Sequence, residues 1–103
     1  MRRLLSTTEA PSPAAPAAFA VERAWRLNPQ VALRDEAFGA LAYHYGNRRL
    51  VFLKSRTLVT LVSSLAEHPS ASSAIEACVP EAEHAAYERA LARLAASEVI
   101  DAC

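Results

Sequence analysis

The chain has 103 residues, 52% hydrophobic and 7% aromatic, which suits one small domain with a modest core and excludes a multidomain enzyme. Its 11 Lys and Arg offset 11 Asp and Glu, so net charge gives no pull toward nucleic acid or an anionic membrane. Cys78 and Cys103 make neither a disulfide framework nor a zinc spacing, and no apolar run approaches the roughly 20 residues of a membrane span, so a soluble protein of the reducing cytoplasm is expected.

Residues 1–23 read as a disordered Pro/Ala-rich arm. Pro11, Pro13 and Pro16 block helix and ladder alike, and Leu4, Leu5, Phe19 and Val21 are too few to offset the ordering entropy. Met1-Arg2-Arg3-Leu4-Leu5 begins like a signal peptide, but Ser6-Thr7-Thr8-Glu9 cuts the apolar stretch short. The folded domain is expected over 24–103. Trp25 and Leu27 alternate with Arg26, Asn28-Pro29 marks a turn, and Val31 and Leu33 predict a first strand near 31–34. Leu41, Tyr43 and Tyr45 share one face of a second strand, and Gly46-Asn47 predicts a two-residue hairpin turn. A third strand, Arg48 to Leu53, is apolar on both faces, with Leu50 and Phe52 opposite Val51 and Leu53, which points to a surface that is covered or coverable.

Beyond Lys54 the period becomes helical. Leu58, Leu61, Val62 and Leu65 form a stripe behind an N-cap at Ser55, and His68-Pro69 ends the helix. Ser70 to Ser73 cap a second helix through about Val79 that buries Ile75, Cys78 and Val79. Pro80 opens a third, Glu81 to Ser97, whose inward stripe is Tyr87, Leu91 and Leu94 with Ala86 and Ala90 alongside. The expected fold class is α+β and winged-helix-like: a three-stranded antiparallel β-sheet followed by three α-helices.

Charge is divided along the chain. Residues 26–56 carry six cations against two carboxylates, and residues 57–103 carry seven carboxylates against two cations. His44, His68 and His84 lack a second ligand at helical spacing, Cys78 lacks a neighbouring base, and two glycines cannot build a phosphate loop, so neither catalysis nor a metal is expected. A winged-helix DNA-binding regulator is the alternative. The last helix, with Glu81, Glu83 and Glu88 against Arg89 and Arg93, would repel phosphate in a groove. What remains is the unpaired edge of the third strand, flanked by Arg48, Arg49 and Lys54. Those cations either discourage aggregation or meet acidic residues of a peptide that adds as a fourth strand.

The stretch from Val31 to Ser55 closely resembles the mycofactocin biosynthesis chaperones, peptide-recognition domains related to the pyrroloquinoline-quinone peptide chaperone. Phe38-Gly39-Ala40-Leu41 and Arg48-Arg49-Leu50-Val51-Phe52-Leu53-Lys54-Ser55 are its specific parts, and the match runs more loosely over about residues 24 to 101. The resemblance implies a non-catalytic peptide chaperone. It would bind the leader of a ribosomal precursor peptide along the third strand beside the last helix and present it to a radical S-adenosylmethionine maturase, whose iron-sulfur clusters are not held in this chain. No cofactor, nucleic acid or membrane is expected; a homodimer through the apolar edge stays open. Carried over, the peptide's backbone would pair with Arg49, Val51 and Leu53 or with Arg48, Leu50 and Phe52. Lys54 would flank it, and Tyr87, Ala90, Leu91 and Leu94 would form the helix wall, with Ala86 and Ala90 small enough for a close approach.

Overall fold

Asn28-Pro29 and Ala37-Phe38 break the strand-forming stretch into short segments that fold back on one another. In a computed structural model, which describes residues 19–103, these are β1 (Trp25–Leu27), β2 (Val31–Glu36), β3 (Gly39–His44) and β4 (Leu50–Leu53). Three helices follow, α1 (Arg56–Ser64), α2 (Ala71–Cys78) and α3 (His84–Ala96), with 3-10 turns at Leu65–Glu67 and Glu81–Glu83, and the chain closes with β5 (Ile100–Ala102). Strands β2, β3 and β4 form an antiparallel meander in that order. The molecule is a small α+β domain with three strands of one sheet ahead of three helices, as the periodicity predicts.

Strand parity decides which side of the sheet is covered. Ala40, Ala42 and His44 of β3 and Leu53 of β4 point inward and are buried, and α1 packs across β1, β3 and β4. Small side chains at 40 and 42 let Leu58, Leu61 and Val62 of α1 pack close to the sheet, and Leu65, Ile75, Leu91 and Val99 complete the core. Ser55 Oγ accepts the Leu58 N–H at 3.0 Å and Ser70 Oγ accepts the Ser73 N–H at 3.0 Å, the two caps expected from the sequence.

The structure departs from the expected elements in four places. β1 and β5 form a second, two-stranded sheet, with Trp25 opposite Ala102 and Leu27 opposite Ile100, where no strand after the helices was expected. The hairpin loop has four residues rather than two. His44 donates its N–H to the Arg49 carbonyl and accepts the Arg48 N–H, so Tyr45 to Arg48 make the turn and Arg48, not Gly46, takes the left-handed conformation at φ 63°. The third helix begins at His84, because the three residues after Pro80 form a 3-10 turn instead. The packed chain also reaches back past Ala24: the Phe19 ring lies 5.0 Å from that of Trp25, whose indole N–H donates to the Ala20 carbonyl at 2.9 Å, and Val21 and Arg23 accept the Ser72 and Ala71 N–H groups. The remainder of the expected N-terminal arm, residues 1–18, lies outside the described residues.

Candidate functional site

Hydrogen-bond parity identifies what β4 offers to a partner. His44 donates to the Arg49 carbonyl at 2.9 Å, and the register continues as Tyr43↔Leu50, Ala42↔Val51, Leu41↔Phe52 and Ala40↔Leu53. Bonded and non-bonded pairs alternate in an antiparallel ladder, so Val51 and Leu53 turn their N–H and C=O groups toward β3 while Leu50 and Phe52 turn theirs away from it. No strand pairs with that outer side among the described residues. The edge is therefore read at Leu50 and Phe52: of the two pairing sets the sequence leaves open, Leu50 and Phe52 of the Arg48, Leu50 and Phe52 set face outward, while the Arg48 N–H is taken by the His44 carbonyl inside the loop.

The same parity separates the side chains. Leu53 is 0% exposed and belongs to the core, Val51 is half-buried, and Leu50 and Phe52 are 62% and 58% exposed. Strand β4 is thus apolar on both faces, and among the described residues only one face is covered. Arg48, Arg49 and Lys54 are exposed at its two ends. The ion pairs among the described residues are Arg26–Asp101 and Arg34–Glu36, and these three cations take part in neither.

Helix α3 is tied near its two ends to the residues that precede and follow β4. At one end the Tyr87 hydroxyl lies 3.1 Å from Ser55 Oγ, just past β4; at the other the Asn47 side-chain amide donates to the Ser97 carbonyl at 3.4 Å, just before β4. Those two contacts set α3 antiparallel to β4. On α3, Tyr87 and Ala90 are half-buried against the core, whereas Leu91 and Leu94 are buried within it. Leu53, Leu91 and Leu94 therefore support the edge from beneath and are not part of its accessible surface.

Two contributors escape sequence reasoning. His44 is 3% exposed, and its Nδ1 accepts the Gly46 and Asn47 N–H groups at 3.0 and 3.1 Å, which shapes the loop from which Asn47 reaches α3. Phe38 is the second. Its ring meets the Phe52 ring edge-on at 5.8 Å, and Phe38, Phe52 and Lys54 line an open cleft of about 260 Å³ on the uncovered face. Gly39 makes this placement accessible: with φ at 149°, it lets the β2–β3 turn meet the end of β4 where a Cβ would strike the Leu53 carbonyl. The available signal was an aromatic residue in a turn directly before a glycine. Phe38, Tyr45, Leu50 and Phe52 are the exposed large hydrophobics among the described residues, and all lie on β4 or on the turns flanking it.

Comparison with known proteins gives a consistent picture. The profile of the Peptide chaperone MftB family matches residues 24–101. A protein of Mycobacterium ulcerans (strain Agy99) named Peptide chaperone MftB is 52% identical over 103 residues, covering 97% of this chain and 94% of that protein. Proteins of the same name from Mycolicibacterium smegmatis (strain ATCC 700084 / mc(2)155) and Mycobacterium tuberculosis (strain ATCC 25618 / H37Rv) are 49% and 47% identical over 83 residues, which covers 80% of this chain and 81% and 76% of theirs. No solved structure gives a significant match.

Proposed function

The chain belongs to the Peptide chaperone MftB family, and we infer that it binds the leader of a ribosomally made precursor peptide by strand addition to β4 and presents it to the radical S-adenosylmethionine maturase of mycofactocin biosynthesis. The single observation that carries this reading is the outer edge of β4, where the N–H and C=O groups of Leu50 and Phe52 have no strand partner among the described residues and lie between cations that have no ion pair there. An extended peptide there pairs its backbone with Leu50 and Phe52, sets alternate side chains on the uncovered face and turns the others toward Val51, Tyr87 and Ala90. Arg48 and Arg49 at one end and Lys54 at the other favour acidic residues flanking the paired segment.

Magnitudes indicate where the affinity arises. Two N–H and two C=O groups, at about 0.5–1.5 kcal/mol for each bond, fall short of the roughly 8 kcal/mol of a micromolar complex even before the cost of ordering the peptide. Burial of Leu50 and Phe52, 62% and 58% exposed, adds roughly 1–2 kcal/mol for each, so apolar contact of the peptide's own side chains is needed beside the backbone bonds. The same edge disfavours pairing with a second copy. In the two-fold antiparallel register that places Leu50 opposite Phe52 of the other copy, the Arg48-Arg49 end of one strand meets the Lys54 end of the other, and like charges brought together there repel.

Scanning the precursor peptide with backbone N-methyl groups tests the binding mode while leaving every side chain in place. Strand addition predicts a loss of about tenfold in affinity at alternate positions over a short segment and little at those between them. A profile without that alternation contradicts it. Presentation is tested by the maturase's turnover of the precursor, which is expected to fall when wild-type chain is replaced by Phe52→Asp.

A further inference from the structure

The cleft of Phe38, Phe52 and Lys54 lies on the face of the sheet opposite the helices. Of its three lining residues, Phe38 lies outside the strand edge and the helix wall, although Phe38-Gly39-Ala40-Leu41 is one of the two stretches that set this sequence apart. We propose that this cleft is a side-chain specificity pocket, which takes one aromatic or long aliphatic residue of the bound peptide together with a carboxylate two positions from it.

The occupant follows from strand geometry, and the inference rests on the strand-addition reading above. Residues directly opposite across an antiparallel pair place their side chains on the same face, with Cβ atoms about 4.5–5.5 Å apart. The peptide residue opposite Phe52 therefore projects onto the uncovered face beside Phe52 and Phe38. These rings already meet edge to face at 5.8 Å, with 44% of Phe38 and 58% of Phe52 exposed to water, so an apolar side chain inserted between them and the solvent removes area from water on both partners. Side chains alternate, so Lys54 shares this face with Phe52, and the peptide residue opposite it lies two positions from the apolar one. Lys54 has no ion pair among the described residues and is exposed, which matches a carboxylate there. The predicted recognition element is an apolar residue and an Asp or Glu separated by one residue that faces α3.

The test is an alanine scan of the synthetic precursor peptide, by calorimetry, against the wild-type chain and Phe38→Ala. Phe38 is a half-exposed turn residue, so the variant is expected to fold, and its far-ultraviolet circular dichroism verifies this. One apolar peptide position should lose about tenfold in affinity for the wild type on replacement by alanine and twofold or less for Phe38→Ala. Replacement of the acidic residue two positions away should be silent only in Lys54→Gln. If Phe38→Ala binds every peptide as the wild type does while the N-methyl alternation persists, the pocket assignment fails and strand addition stands. Loss of the alternation overturns strand addition and the pocket with it. Unchanged peptide binding by Phe38→Ala with impaired binding of the maturase would likewise overturn the pocket, by showing that the cleft meets the enzyme instead.

Discussion

Two residues in the left-handed half of backbone space test how local geometry positions the site. Gly39, at φ 149°, has the Leu53 carbonyl and Ser55 amide against the place a Cβ would occupy. Gly39→Ala therefore strains the backbone and pushes β3 off the end of β4. A loss of more than about 2 kcal/mol is expected, read from the urea midpoint at unchanged slope. Glu98 takes the opposite role. It follows α3 at φ 66°, while Val99 N–H returns to the Leu94 carbonyl at 2.9 Å and Glu98 N–H to that of Ala95 at 3.1 Å, a helix ending that glycine fits without the Cβ penalty. Glu98→Gly should raise stability by about 0.5–1 kcal/mol, which a thermal melt would register as a rise of a few degrees. Glu98 lies outside the proposed contact surface, so Glu98→Gly separates an effect on folding from one on binding, whereas Gly39→Ala also disturbs Phe38 and the end of β4.

For the strand, the informative comparison is between neighbours in β4. Leu53 is fully buried and Phe52 is 58% exposed, although sequence periodicity treats them alike. Leu53→Ala is expected to cost about 2–5 kcal/mol of stability through the cavity it leaves. Phe52→Asp gives up the contact with Phe38 and should cost clearly less stability than Leu53→Ala, yet weaken precursor binding by about tenfold or more, since it places a carboxylate on the proposed contact face. Equal destabilisation by both variants would show that the two faces of β4 are equally covered. This is also where the sequence runs out. An apolar run of four residues contains no information about which face is solvated or which amides point outward, because both depend on the partner strand and on the four-residue loop that sets the register. The helices were easier to read: Ser55 and Ser70 announce α1 and α2, and the stripe of Leu58, Leu61 and Val62 names the buried face. β1 and β5 were not, since three-residue strands paired across 75 positions, as Arg26 and Asp101 are, carry no periodic signal of their own. Phe38 escaped for the same reason that Leu50 and Phe52 were ambiguous: exposure of an aromatic residue is a property of the fold.

At the scale of the molecule, the sheet edge carries exposed Arg48, Arg49 and Lys54, while Glu76 is exposed on α2, Glu81 and Glu83 on the turn before α3, and Glu88 on α3 beside exposed Arg89 and Arg93. Steering of an acidic leader to the sheet predicts that Arg49→Glu weakens precursor binding more at low salt than at high salt, measured as Kd against ionic strength. Equal losses at both would remove the electrostatic part of the account. The central claim, strand addition at Leu50 and Phe52, is tested most directly by amide hydrogen exchange of the chain with and without its precursor peptide. The amides of Leu50 and Phe52 should gain strong protection on binding, while those of Val51 and Leu53, already bonded to β3, change little. Protection confined to another surface, or saturable binding that leaves Leu50 and Phe52 exchanging as in the free chain, would contradict it.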